Sequence, residues 1–354
     1  MIRTALDVYD IEQDANLFAG KGVVLVAGGE YFGPAIVGIH ALRQTGSDLP
    51  VEVFLADYEE YEPYLCETYL PSLDARCLVL SDFIGDDFDV SHYQFKALAL
   101  LFSSFSEVLL LDSDSIPLQD PETELFQSAP YIENGLVGWP DFWIGTESPS
   151  FYVIAGLTSF PSDLPQSSSE SGQLLLDKSR HLKTLLLAVY YNLFGPGYFY
   201  ELLSQGALGQ GDKNTFESAA VVLGAPHYRV KDLPQVIGRY DAFAFKGSAI
   251  IQMAPESGQP AFIHANTPKM NAGHLIDEGD LQDKYSKAHL RLWENKIATR
   301  KILDSDVEAK IWKILVDTGC ELADEVMEWK HRKNLCKRLK AHFTEVFGDG
   351  DSSG

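Results

Sequence analysis

The residues whose types and spacing point most directly to chemistry are Asp112 and Asp114, in the run Glu107-Val108-Leu109-Leu110-Leu111-Asp112-Ser113-Asp114. Two carboxylates one residue apart, just past an apolar strand, can both reach one divalent ion. Hard oxygen ligands of this kind suit Mg²⁺ or Mn²⁺. Such an ion bridges two phosphates and neutralises charge building on a diphosphate leaving group. A bare Asp-x-Asp is also what a solvated turn looks like; the apolar strand in front of it favours the ion. Upstream, Tyr93-Gln94-Phe95-Lys96 begins a helix expected to pack under the same sheet end, where Lys96 is either a surface lysine or a partner for a phosphate or nucleobase edge. Downstream, His264 closes a strand-like run, Phe262-Ile263-His264, with Lys269 five residues on. That placement makes His264 a third candidate metal ligand, a structural histidine being the alternative.

Three further segments carry polar groups in suggestive settings. Ser169-Glu170-Ser171-Gly172-Gln173 is built of small residues that let a backbone approach a ligand closely. Ser204-Gln205-Gly206 and Gly209-Gln210-Gly211-Asp212-Lys213-Asn214-Thr215-Phe216 form a glycine-rich loop opening a helix. There Asp212 either caps the helix or serves chemistry, orienting an acceptor hydroxyl or stabilising positive charge on a sugar. Trp139-Pro140-Asp141-Phe142-Trp143 sets aromatic faces beside a carboxylate, which suits a carbohydrate with its apolar C–H faces and hydroxyls; a buried aromatic cluster is the competing reading.

These residues need a scaffold, and the first third of the chain supplies one. Lys21 to Ala27 is a short apolar run ending at Gly28-Gly29, the pattern of a buried parallel strand and its exit turn. Pro34 opens a helix with Ile36, Ile39 and Leu42 on one face. Strands are expected at Val51–Leu55, Arg76–Leu80 and Glu107–Leu111, with helices around Glu59–Tyr69 and Gln94–Phe105. Alternation of this kind predicts βαβ units and a parallel sheet, at whose carboxyl ends ligands bind. Residues 136 to 270 read as short strands, aromatic loops and a long helix near His181–Leu193, with a Ser/Pro-rich loop over Pro161–Ser169. From Leu281 to Phe347, Trp293, Ile297, Ile311, Leu315, Leu322 and Val326 fall at helical spacings. The expected organisation is a lead-in segment over 1–20, an α/β domain over 21–280, a helical appendage over 281–347 and a disordered tail over 348–354.

Composition narrows the function. The 354 residues carry a formal charge of −23, which repels phosphate backbones and argues against nucleic-acid binding. An anionic substrate then needs a cation or a local basic patch to enter. No stretch approaches a membrane span and no signal peptide is visible; a soluble ectodomain of a longer precursor fits. Cys66, Cys77, Cys320 and Cys336 lack metal-site spacing. Cys66 and Cys77, either side of Pro71, are a disulfide in an oxidising compartment or free buried thiols.

Several segments, in order, resemble the fungal Golgi α-mannosyltransferases that extend N-glycan outer chains. They are Phe95–Leu101 through Asp114, Trp139–Trp143, Glu170–Lys178, Ser204–Phe216 and His264–Asn271, and the resemblance covers about residues 21 to 275. It implies a GT-A nucleotide-diphospho-sugar transferase fold, GDP-mannose as donor, Mn²⁺ as the ion, transfer with retention to a mannan or N-glycan acceptor, and a type II membrane protein of the Golgi lumen. It places the metal on Asp112, Asp114 and His264, the donor against Gly28, Gly29, Lys96 and Lys269, the acceptor near Asp141, Trp143, Glu170 and Gln205, and makes Asp212 the candidate catalytic carboxylate.

The chain departs from the pattern at Ile144-Gly145, where a basic residue is expected after Trp143, and at Gln210, where an acid is expected. Both lie on the presumed acceptor side. Two rival readings follow: a non-catalytic regulator of the same family, and a haloacid-dehalogenase-type phosphatase, whose nucleophile is also the first Asp of a strand-end Asp-x-Asp.

Overall fold

The computed structural model describes residues 5–6, 8, 17–85, 90–162, 164–241, 244–277, 279–293, 302–303 and 305–348. The expected α/β alternation opens it. Strand β1 (Lys21–Val26) leads to helix α1 (Phe32–Gln44), β2 (Val51–Leu55) and β3 (Ala75–Val79); α2 (Gln94–Phe102) then precedes β4 (Glu107–Asp112). The central residues of β1 and β4 are buried on both faces, as strands covered by helices above and below must be. Where a helix is expected around Glu59–Tyr69, a helical stretch runs over residues 63–72, π-helical at Leu65–Tyr69 and α-helical at Leu70–Ser72.

Beyond β4 the chain changes character. Strand β5 (Ser115–Pro117) follows almost at once, then β6 (Leu136–Ile144) and β7 (Ser167–Asp177), which runs into α3 (Lys178–Leu193). Helix α4 (Thr215–Leu223) precedes β8 (Tyr228–Arg229), β9 (Gln235–Asp241), β10 (Ala244–Met253) and β11 (Pro260–His264). Among the described residues these form a sheet of order β3-β2-β1-β4-β7-β6-β8 and a second of order β5-β11-β10-β9. In the first, β3, β2, β1 and β4 are mutually parallel, while β7 is antiparallel to β4 and to β6. The second is antiparallel throughout.

Strand β7 covers part of the stretch that composition marks as a loop. Ser168, Ser169, Ser171 and Gln173 are buried despite being polar. The hydroxyls of Ser168 and Ser169 donate to Asn214 Oδ1 at 3.0 and 2.7 Å, so burial leaves them paired.

The C-terminal helices, α5 (Val307–Glu321) and α6 (Leu335–Phe347), pack on the face of the first sheet that α1 covers. Ile311, Trp312 and Leu315 join Phe32, Ile36 and Ile39 of α1 in one apolar cluster. The helical periodicity expected from Leu281 onward is realised only in part: Trp293 is buried outside any helix, and Ile297 lies outside the described residues, as do most of the lead-in segment and residues 349–354. Both cysteine pairs are disulfides. Cys66–Cys77 joins the π-helical turn to β3, and Cys320–Cys336 ties the end of α5 to the start of α6. No helix among the described residues is long and apolar enough to cross a membrane.

Glu308 near the start of α5 is buried and accepts the backbone N–H groups of Leu292 (2.6 Å) and Trp293 (3.2 Å). Burial pushes its carboxyl up from 4.5 to about 7. The folded state then holds a proton that the unfolded chain releases, so stability falls as pH rises from about 4.5 to about 7. Glu308→Gln should flatten that slope in melting temperatures measured between pH 4.5 and 7.5; an unchanged slope would assign it to other groups.

Candidate functional site

The site forms where the two sheets meet. Asp112 is the last residue of β4 and pairs in register with Val26, beside the Gly28-Gly29 turn. Asp114 lies one residue before β5, the first strand of the second sheet. Ser115 pairs with His264 at the end of β11, and the Ala265 N–H donates to the Asp114 carbonyl at 2.9 Å. The two-residue crossing between sheets thus delivers both carboxylates and the imidazole to one point. Ligand atoms of Asp112, Asp114 and His264 lie within 4.8 Å of one another. His264 Nε2 stands 3.0 Å from Asp114 Oδ1 and 3.9 Å from Asp112 Oδ2.

Two lysines compensate these acids. Lys96, on α2, donates to Asp112 Oδ2 at 3.0 Å and to the Ser171 hydroxyl at 3.2 Å, and its Nζ lies 3.5 Å from Asp212 Oδ2. Lys269 pairs with Asp114 and sits over the half-exposed Tyr31 ring, 5.4 Å from its centroid. Burial disfavours charge on Asp112, Asp114 and Lys96, and the neighbours decide each outcome. Burial pushes the Asp112 carboxyl up against the pull of Lys96. At Asp114 burial is outweighed by His264 and Lys269, which hold the carboxyl well below the usual range. Burial would lower the Lys96 ammonium, but Asp112 and Asp212 hold it above the ordinary lysine value.

Asp212 is not a capping residue. The α4 N-cap is Asn214, with no side-chain cap bond, and Asn214 turns instead to Ser168 and Ser169 on β7. The Asp212 carboxyl is buried facing Lys96, with Oδ2 outside any hydrogen bond; burial pushes it up. Through Lys96 it sits beside Asp112.

The remaining expected residues divide. Glu170 faces His264, with Oε2 3.4 Å from Nδ1, and so sits in the carboxylate–imidazole cluster rather than on a separate acceptor wall. Asp141 is buried in an ion pair with Lys213 at 2.8 Å. Of the aromatic group, Trp139 is core, its indole N–H donating to the Met253 carbonyl at 2.8 Å. Phe142 and Trp143 are exposed at the end of β6, ring centroids 4.7 Å apart. Gln205 ends a short helix in left-handed conformation and donates to the Thr146 carbonyl, holding two loops together. At Gly28 a Cβ would stand 2.2 Å from Glu60 Oε2, so the exit turn of β1 has room only for glycine. Lys213 and Tyr31 were not singled out from sequence. Lys213 is legible as the basic residue of the glycine-rich loop, whereas nothing in the sequence marks Tyr31.

The donor set fits a divalent cation. It combines two carboxylates with an imidazole, and the imidazole occupies space that a side chain at Gly172 would fill, because a Cβ there would stand 2.6 Å from His264 Nδ1.

Residues 20–167 and 157–254 match the family model described as "Mannosyltransferase putative". The chain is 40% identical to alpha-1,2-mannosyltransferase MNN21 of Candida albicans, over 78% of this chain and 54% of that protein. It is 31% identical to alpha-1,2-mannosyltransferase MNN23 of the same organism, over 94% of this chain and 68% of that protein. It thus spans about half to two thirds of the length of these relatives. Among solved structures it is similar to the glycosyltransferase GlyE of Streptococcus pneumoniae, at 16% identity and a TM-score of 0.40, over 60% of this chain and 46% of that one.

Proposed function

The chain belongs to this mannosyltransferase family, and from that membership and the site's geometry we propose that it is a metal-dependent GT-A glycosyltransferase moving mannose from GDP-mannose to a mannose-containing glycan. Its relatives among the alpha-1,2-mannosyltransferases support an α-1,2 linkage. The carrying observation is the convergence of Asp112, Asp114 and His264 within 4.8 Å at the carboxyl end of β4. In an acidic molecule, this is where a cation and two lysines make room for a nucleoside diphosphate.

In this reading Asp112, Asp114 and His264 hold Mn²⁺. The ion's chemistry is to neutralise charge on the departing diphosphate. The chain's own groups do the rest. Lys96 keeps the Asp112 carboxylate charged and aimed, and Lys269 stands beside Asp114 where phosphate oxygens would arrive. The Gly28-Gly29 turn admits the donor close to backbone. Asp212, buried behind Lys96, faces the positive charge that develops on the sugar. Asp141, with Lys213, and the exposed Trp143 ring form the acceptor side, and the acceptor hydroxyl attacks the face from which the leaving group departs. Two disulfides suit an oxidising lumen, and the Golgi is the proposed site of action.

Screening GDP-mannose, UDP-glucose and UDP-galactose with Mn²⁺ against simple α-mannosides tests this. Transfer is expected from GDP-mannose alone, and excess EDTA should abolish it. Turnover of the UDP-sugars instead, or full activity in EDTA, would contradict the proposal.

A further inference from the structure

Resting on the reading that Asp112, Asp114 and His264 hold a divalent cation, we infer that Glu170 is a positioning residue for His264: it fixes which ring nitrogen faces the metal. The two nitrogens of the His264 imidazole face opposite ways. Nε2 points at Asp114 and Asp112, at 3.0 and 3.9 Å. Nδ1 points the other way, 3.4 Å from Glu170 Oε2, an ion-pair contact without hydrogen-bond geometry that leaves Nδ1 with no hydrogen-bond partner among the described residues. An imidazole that ligates through Nε2 must keep that lone pair free and carry its proton on Nδ1. A carboxylate beyond Nδ1 is the partner that holds this tautomer and the ring's orientation.

Glu170 is itself held for the task. Its other oxygen, Oε1, accepts the Gly172 N–H at 2.7 Å, so the carboxylate is anchored on one side while facing the ring on the other. The ring and the carboxylate are both mostly shielded from water, at 7% and 12% side-chain exposure. Glycine at 172 is what allows the arrangement. A Cβ there would stand 2.6 Å from His264 Nδ1, 2.7 Å from Cε1 and 3.1 Å from Glu170 Oε1, entering the contact itself. Strand β7 therefore contributes two residues to the cation site without supplying a ligand: Glu170 to orient the imidazole, and Gly172 to leave room for it.

Mn²⁺ alone, titrated into the full chain and followed by the electron paramagnetic resonance of the free ion, separates this role from the alternatives. Glu170→Ala should weaken Mn²⁺ binding by about 10- to 100-fold. Glu170→Gln, which keeps the volume and one acceptor oxygen, should fall between it and the parent. In both variants the loss of transfer should be largely recovered at saturating Mn²⁺, with the acceptor KM unchanged. Unaltered Mn²⁺ affinity with a raised acceptor KM would make Glu170 an acceptor contact and overturn the inference. Failure of the parent chain to bind Mn²⁺ at all would remove the cation reading itself, a different result from equal binding by parent and variants.

Discussion

Asp114→Asn is expected to lower mannosyl transfer by about two to three orders of magnitude, the scale of losing a principal electrostatic group from an active site, while leaving the fold in place. The site explains why these effects should separate. Asparagine keeps the volume of a side chain that is only 4% exposed, so no cavity opens. Its partner Lys269 is 36% exposed on its side chain and can turn to water once the carboxylate charge is gone. The other partner, His264, keeps Glu170 on Nδ1 and can shed a proton. What cannot be replaced is the second anionic ligand. Mn²⁺ affinity should therefore fall together with activity, and raising Mn²⁺ should recover little, in contrast to the Glu170 variants. Assays at saturating GDP-mannose, with melting curves on the same samples, check this. Near-parental turnover by a folded Asp114→Asn chain would show that the pair does not hold the metal.

The contrast between Asp114 and Glu170 marks what the sequence could convey. Asp112 and Asp114 were legible because an apolar run with helices around it has few homes other than a buried parallel strand, and its end is then a ligand position. His264 was legible as a strand-end histidine. Its approach to Asp114 was not, since it depends on β11 pairing, over a separation of some 150 residues, with β5, whose three residues are too few to announce a register. The start of strand β7 reads as the end of a Ser/Pro-rich loop for a physical reason: residues 167–169 are all serine, so they lack the apolar content that identifies strands elsewhere in the same sheet. Asp212 shows the reverse. Its sequence context favours a helix cap about as much as a catalytic acid; Asn214 takes the N-cap position, and Lys96, on another helix, faces the Asp212 carboxyl. The C-terminal helices were legible as helices, but not as part of the same core as α1, because amphipathic periodicity says which face is apolar and not what it meets.

Lys96→Met should be the most damaging single change to stability among the site residues, and Mn²⁺ should partly reverse it. The lysine is 13% exposed on its side chain and serves two carboxylates, the part-buried Asp112 at 2.8 Å and the buried Asp212 at 3.5 Å. Methionine preserves the aliphatic stem and removes the charge. Asp112 and Asp212 then lose their shared counter-charge, a situation that costs about 3–5 kcal/mol when a buried pair is broken. Both carboxyls are already pushed up by burial, so part of the cost is met by proton uptake. A carboxyl raised in the folded state destabilises it increasingly as pH climbs above the ordinary carboxylate value. The deficit relative to the parent should therefore be larger at pH 7.5 than at pH 5. A divalent cation on Asp112 restores one of the missing charges, so added Mn²⁺ should raise the variant's melting temperature by more than it raises the parent's. Transfer activity should stay low even then, because the ion does not reproduce the contact that holds Asp212 in place. Melting curves at both pH values, with and without Mn²⁺, give four numbers whose pattern is fixed in advance. A variant as stable as the parent at pH 7.5 would mean that Asp112 and Asp212 need no counter-charge, and the electrostatic account of the site would fall with it.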